Sequence, residues 1–257
     1  MLETDDKIPF TEHLEELRKR IMISGITVFV LFFPAYYFKE KLYGLLMYPA
    51  VNQMKIMNTG KFIYTGPAEL FFTYIKVSFL TALLAASPVI LYQFWMFVAP
   101  GLYDKEKKLL MPVLFLSTFF FVGGALFGYF VVFPYGFSFF LGFSTDFIDP
   151  LFSVKEYLSF ASMLLIAFGC VFELPLVITF MARIGIVTVS FLQKQRKYAI
   201  LAIFVLAAIL TPPDVVTQIL LAMPMVILYE ISIIGAKIFG KKKVEDDVES
   251  AETNSAV

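Results

Sequence analysis

Apolar runs long enough to cross a lipid bilayer, separated by charged connections, set the first constraint on this chain. Several approach or exceed the roughly 18 to 20 residues that a helix needs to traverse about 30 Å of hydrocarbon. With 59% hydrophobic residues, 18% aromatic residues and a mean hydropathy of +0.79, the 257 residues carry more apolar surface than a soluble domain can hide. Barrel strands would alternate polar and apolar positions, and these runs do not, so the fold class is an all-α integral membrane protein.

Read in order, the runs give six transmembrane helices, at about 21–38, 70–97, 109–133, 156–182, 196–210 and 215–236, in a single membrane domain covering 1–240. Residues 1–20 precede them. Ile8, Phe10, Leu14 and Leu17 fall at near-helical spacing among Glu12, Glu15, Glu16, Lys19 and Arg20, which suits an amphipathic interfacial helix and equally a solvated face with self-paired charges. The start, MLETDDKIPF, has neither transit-peptide character nor a cleavable apolar core. The connection from Lys39 to Glu69 is long and holds Pro49, Gly60, Gly66 and Pro67, which predicts a structured cap. A second polar connection is predicted from Pro134 to Lys155. The fifth run is short for a bilayer and turns at Thr211-Pro212-Pro213-Asp214 into the sixth, so the chain ends in a short helical hairpin. Acidic residues follow Lys241, Lys242 and Lys243, and 241–257 reads as a disordered tail.

Six spans put both termini on one side. Fifteen of the 21 Lys and Arg flank that side, among them Arg18, Lys19, Arg20, Lys105, Lys107, Lys108 and Arg196, against five on the other. The positive-inside rule therefore places both termini, and the loop around Glu106, in the cytoplasm.

The polar residues inside the runs are few. Lys76 lies less than two turns into the second run, where a lysine can snorkel to the near interface. Glu173, followed by Pro175, sits near mid-membrane; it is a functional candidate, or else a protonated acid bonded to a neighbouring helix. Gly124 and Gly128 would allow close helix approach. The lone Cys170 reads as a small buried hydrophobe. The only histidine is His13, and HExxH, GxSxG and Walker A patterns are absent from the sequence, so no catalytic residues, metal ligands or cofactor are assigned. One alternative remains at this level: a proton- or cation-coupled secondary transporter using Glu173, which predicts an inverted internal repeat that the runs do not display.

Several motifs occur together and in order: His13-Leu14-Glu15-Glu16-Leu17-Arg18-Lys19-Arg20; Pro88 to Trp95, PVILYQFW; Phe97 to Tyr103, FVAPGLY, with Glu106; and Phe168 to Pro175, FGCVFELP. Arg196-Lys197, the Thr211 to Asp214 turn with Gln218, and Pro224 to Glu230 extend the pattern. Over about residues 10 to 235 the sequence resembles the TatC family of the twin-arginine protein translocase. The resemblance implies a cupped bundle with a concave face, both termini cytoplasmic, in the bacterial inner membrane. It implies that Glu16, Glu106, Phe97 and Arg18 bind the twin-arginine signal peptides of folded precursors. A guanidinium presents a planar fork that a carboxylate meets bidentately, so paired acids suit paired arginines. Glu15 and Asp104 add neighbouring acids, which leaves open which carboxylate meets which arginine. The resemblance further implies that Glu173, Asp214 and Gln218 contact the single-span partners TatA and TatB, and that multiple copies assemble in a TatB-TatC complex. Transport would be driven by the proton motive force, with membrane lipid as surroundings and no nucleic acid involved.

Overall fold

A computed structural model describes residues 10–99, 110–145, 150–210 and 215–240. Glu106, Asp214, the first nine residues and the tail from Lys241 lie outside them. The chain divides into two compact units, Met1–Gly169 and Cys170–Val257.

The first unit is built on an antiparallel helix pair. Helix α1, Phe10–Tyr37, runs unbroken for 28 residues, so the charged segment around Glu16 and the apolar run after it form one rod. Pro34 falls in its last turns, where losing one backbone hydrogen bond costs little. Helix α3, Glu69–Val98, packs along it in the opposite direction: His13 meets Phe97, Arg20 meets Gln93, and Val28 packs on Ala82 and Ala86. Lipid is as apolar as leucine, so close approach and not water exclusion holds such helices together, and small Ala82 and Ala86 permit it. Pro88 inside α3 leaves the Leu84 carbonyl without its usual N–H, and the Ser87 hydroxyl donates to that oxygen at 2.7 Å.

Helix α2, Lys39–Met57, begins the cap expected between the first two runs. Its Pro49 likewise strips the Leu45 carbonyl of a donor, and the Tyr129 hydroxyl supplies one, while Tyr157 donates to Leu46 O at 3.0 Å. Asn58 ends α2 in the left-handed conformation, and strand β1, Lys61–Ile63, follows. It pairs in parallel with β2, Leu151–Ser153, in register Phe62 to Phe152. This ladder is an addition to the all-α expectation; three residues per strand are too few to show a period of two in the sequence.

Helix α4, Leu110–Phe127, leads through a π turn at Gly128–Val132 into α5, Phe133–Leu141. The third run thus stays helical well past Pro134, which the sequence suggested as a stop. Phe133 N–H bonds to Gly128 O, five residues back, and the widened turn absorbs the proline that could not complete a regular one. Phe133, Phe137 and Leu141, one turn apart and buried, carry α5 onto the cap. Helix α6, Val154–Phe172, crosses back. Gly128 lies against Phe168, and Gly169 against the Phe121 ring, where an added Cβ would come within 2.9 Å of Cε2. The small residues of the third run therefore do receive another helix at Gly128, and Gly124 is buried as well, while a Cβ at Gly123 would meet open space.

In the second unit α7, Leu174–Arg183, packs on α10, Val215–Phe239, with α8, Val189–Lys194, and α9, Arg196–Leu210, beside it. Tyr229 on α10 donates to Leu192 O at 2.9 Å, and Arg196 pairs with Glu230 at 2.8 Å. Cys170 is exposed, contrary to its reading as a buried hydrophobe: Phe168 and Gly169 take the buried positions of this turn of α6, and an apolar thiol is at no disadvantage facing lipid.

Among the described residues, five helical stretches are long and apolar enough to cross a membrane: Glu12–Tyr37, Glu69–Val98, Leu110–Leu141, Val154–Arg183 and Val215–Phe239. Large side chains such as Phe29, Phe33, Phe115, Phe119 and Phe130 stand exposed on them, an apolar surface suited to lipid. The remaining candidate, α9, has 15 residues and spans about 22 Å.

Candidate functional site at the α1 and α3 ends

The N-terminal turns of α1 and the C-terminal turns of α3 bring together polar groups that lie far apart in sequence. Arg20 donates through Nε to Glu16 Oε1 at 3.0 Å, and Nη2 reaches the same oxygen. One turn separates the two residues on α1, so this is the favourable Glu-before-Arg order, worth about 0.3 to 0.5 kcal/mol on an exposed helix. The third nitrogen, Nη1, donates to Gln93 Oε1 on α3 at 3.2 Å. Both ionic side chains are largely covered, 17% exposed for Arg20 and 26% for Glu16, so the pair sits half inside the seam and is screened less than a surface pair. One turn towards the helix end, the His13 ring stacks on Phe97, centroids 4.3 Å apart and planes 21° from parallel.

This arrangement unites two of the sequence candidates, Glu16 and Phe97, on facing helices. Arg18 is exposed on α1 and takes no part in the Arg20 to Gln93 contact. Glu106 lies outside the described residues, beyond the end of α3. Gln93 and His13 carry contacts that the motif reading left without a role. Gln93 was legible only as the polar interruption in PVILYQFW, and its partner is 73 positions away.

The second unit holds the remaining candidates. Glu173 is buried in the break between α6 and α7, where its N–H bonds to Cys170 O at 3.1 Å and Pro175 starts the new helix. Pro175 thus coincides with a one-residue break in a helical stretch that otherwise runs from Val154 to Arg183. Gln218 reaches from α10 to Phe204 O on α9 at 3.0 Å, tying the last two helices together. Asp214 lies outside the described residues.

A third polar cluster was not singled out by sequence. Glu69, at the first turn of α3, accepts from Thr65 N at 2.6 Å and Thr65 Oγ1 at 3.0 Å on one oxygen, and from Ser153 Oγ at 3.1 Å and Lys155 N at 3.0 Å on the other. One carboxylate thereby stitches the connection before α3 to the strand before α6.

The fold and its polar seam define a multi-pass helical membrane protein, and comparison with known proteins specifies which. Residues 12–224 match the family described as Sec-independent protein translocase protein (TatC). The chain is 59% identical over 99% of its length to the Sec-independent protein translocase protein TatC of Desulforapulum autotrophicum, covering 93% of that protein. It is 42% identical to the TatC of Aquifex aeolicus, over 93% of this chain and 98% of that one. The crystal structure of the twin arginine translocase receptor TatC superposes with a TM-score of 0.80 at 41% identity, over 88% of this chain and 99% of that chain. The chain belongs to the TatC family. It is a core subunit of the Sec-independent, twin-arginine protein translocase.

Proposed function

We propose that this subunit receives the twin-arginine signal peptides of folded precursors at the cytoplasmic face of a bacterial inner membrane, on a surface formed by Glu16, Arg18, Phe97 and Glu106. The observation that carries the reading is that Glu16 already holds a guanidinium, that of Arg20, through two of its donors. The carboxylate is therefore set in a geometry suited to arginine, and a lysine ammonium cannot reproduce the fork. An incoming signal arginine competes with Arg20 or adds to it, and burial of the signal's apolar segment contributes the rest of the affinity.

Binding of an Arg-Arg signal peptide to the full chain, compared with a Lys-Lys version, tests this. Glu16→Gln combined with Glu106→Gln is expected to lower affinity by about tenfold or more and to erase the preference for arginine. Retention of that preference in the double variant removes the proposal.

The same reading takes α9 as a sixth, short span and puts both termini in the cytoplasm, supported by the excess of Lys and Arg on that side. A 15-residue span would thin the bilayer around it. TatA and TatB then dock near Glu173, Asp214 and Gln218, in a complex holding several copies, and the proton motive force drives export. Site-specific crosslinking from position 218 is expected to capture a single-span subunit; labelling of the two termini on opposite faces of the membrane would contradict the topology.

A further inference from the structure

We infer that the pocket beside the first turns of α3 binds the phosphate headgroup of an anionic phospholipid, held between Lys76 and Lys155. The pocket encloses 490 Å³ and is lined by Thr65, Pro67, Glu69, Phe72, Lys76 and Lys155 among others. Lys76 lies seven positions past Glu69, about 10 Å further along a helix that is itself a membrane-spanning stretch, and it is exposed. An exposed ammonium on the lipid side of a span demands an anion or a path back to the interface.

The structure shows where it goes. Its Nζ donates to Ser159 Oγ at 2.7 Å, and Ser159 in turn donates to Lys155 O at 2.7 Å. Ser159 thus draws Lys76 towards the start of α6, where Lys155 lines the same pocket. It takes one of the three ammonium hydrogens and leaves two free to donate to a ligand. The carboxylate in the lining, Glu69, has both oxygens engaged by Thr65, Ser153 and the Lys155 N–H. Two lysines against one occupied acid leave a formal excess of one positive charge. Phe72, exposed beside them, offers an apolar wall to the glycerol backbone and the first acyl carbons. A free phosphate would satisfy the same lysines from the aqueous side, but the position of Lys76 within the span and the apolar wall favour the lipid.

Native mass spectrometry of the full chain, titrated in detergent with dioleoylphosphatidylglycerol, dioleoylphosphatidylcholine or inorganic phosphate, tests the assignment. The phosphatidylglycerol adduct is expected to bind tightest, and Lys76→Gln with Lys155→Gln to weaken it by about tenfold, while Lys55→Gln on α2 leaves it unchanged. Lys76→Arg, which keeps the charge, is expected to retain the lipid and serves if the glutamine variant does not fold. Equal phosphatidylglycerol binding by the chain and the double glutamine variant overturns the site. Inorganic phosphate that binds as tightly and displaces the lipid overturns the lipid as its occupant.

Discussion

Arg20 on α1 donates to Gln93 on α3 across 3.2 Å, and the same guanidinium holds Glu16 on its own helix. One side chain therefore both locks the helix pair and presets the acid proposed to receive signal arginines. Coupling of this kind makes the seam testable through stability and binding separately.

Replacing Gln93 with Leu removes the interhelical acceptor but leaves the Glu16 to Arg20 pair in place. A half-buried hydrogen bond to a charged donor is worth about 1.5 to 3 kcal/mol, so thermal unfolding in detergent should begin several degrees lower. Signal-peptide affinity should fall less than in Glu16→Gln, because the carboxylate remains. Equal loss from both variants would mean that Gln93 and not Glu16 sets the binding geometry.

Gly169 faces the Phe121 ring too closely to admit a larger side chain. Gly169→Val is expected to cost about 1 to 3 kcal/mol by overpacking the α4 to α6 contact. Phe121→Ala in the same chain should restore much of that loss, since the neighbour that is struck is then gone. Absence of any rescue, in a double-mutant cycle on thermal or denaturant unfolding, would place the strain elsewhere.

Trp95 is the only tryptophan in the sequence, and its indole N–H donates to Ser117 Oγ at 3.1 Å inside the α3 to α4 seam. Ser117→Ala should shift its emission to shorter wavelength, because a buried indole loses a polar partner. The accompanying destabilisation should be about 1 kcal/mol. An unmoved emission maximum would show that the serine does not govern the indole's surroundings.

Glu69 accepts only donors, from Thr65, Ser153 and the Lys155 N–H. Glu69→Gln brings an amide NH2 against one pair of those donors and leaves them unsatisfied. Limited proteolysis should then cut faster between Thr59 and Pro67, where β1 loses its anchor to β2, while cleavage elsewhere in the chain stays unchanged. Uniform acceleration over the whole chain would instead mean that Glu69 supports the fold globally.

Much of this protein is written locally. Apolar runs of bilayer length fix the membrane class whatever their partners, since each such helix satisfies its own backbone. The interruption at Glu173 follows from Pro175, which cannot donate a backbone bond, and the motif around Glu16 carries the family. Short-range rules could not supply the rest. Pro134 reads as a stop because its own turn is broken, yet the helix continues: Gly128–Val132 widens to absorb it, and Phe133, Phe137 and Leu141 find the cap to pack on. Cys170 reads as core because apolar residues usually are, but in lipid the outer face is apolar too, so hydrophobicity does not say which way a residue points. Gln93 meets Arg20 from 73 positions away, and Glu69 meets Ser153 and Lys155 from 84 and 86, so no local window contains both halves of those contacts. The sequence by itself marked the long apolar segments that suit a membrane; only the packed structure decided which polar groups meet between them, because a hydrogen bond in a dry interior depends on where the partner helix places its atoms.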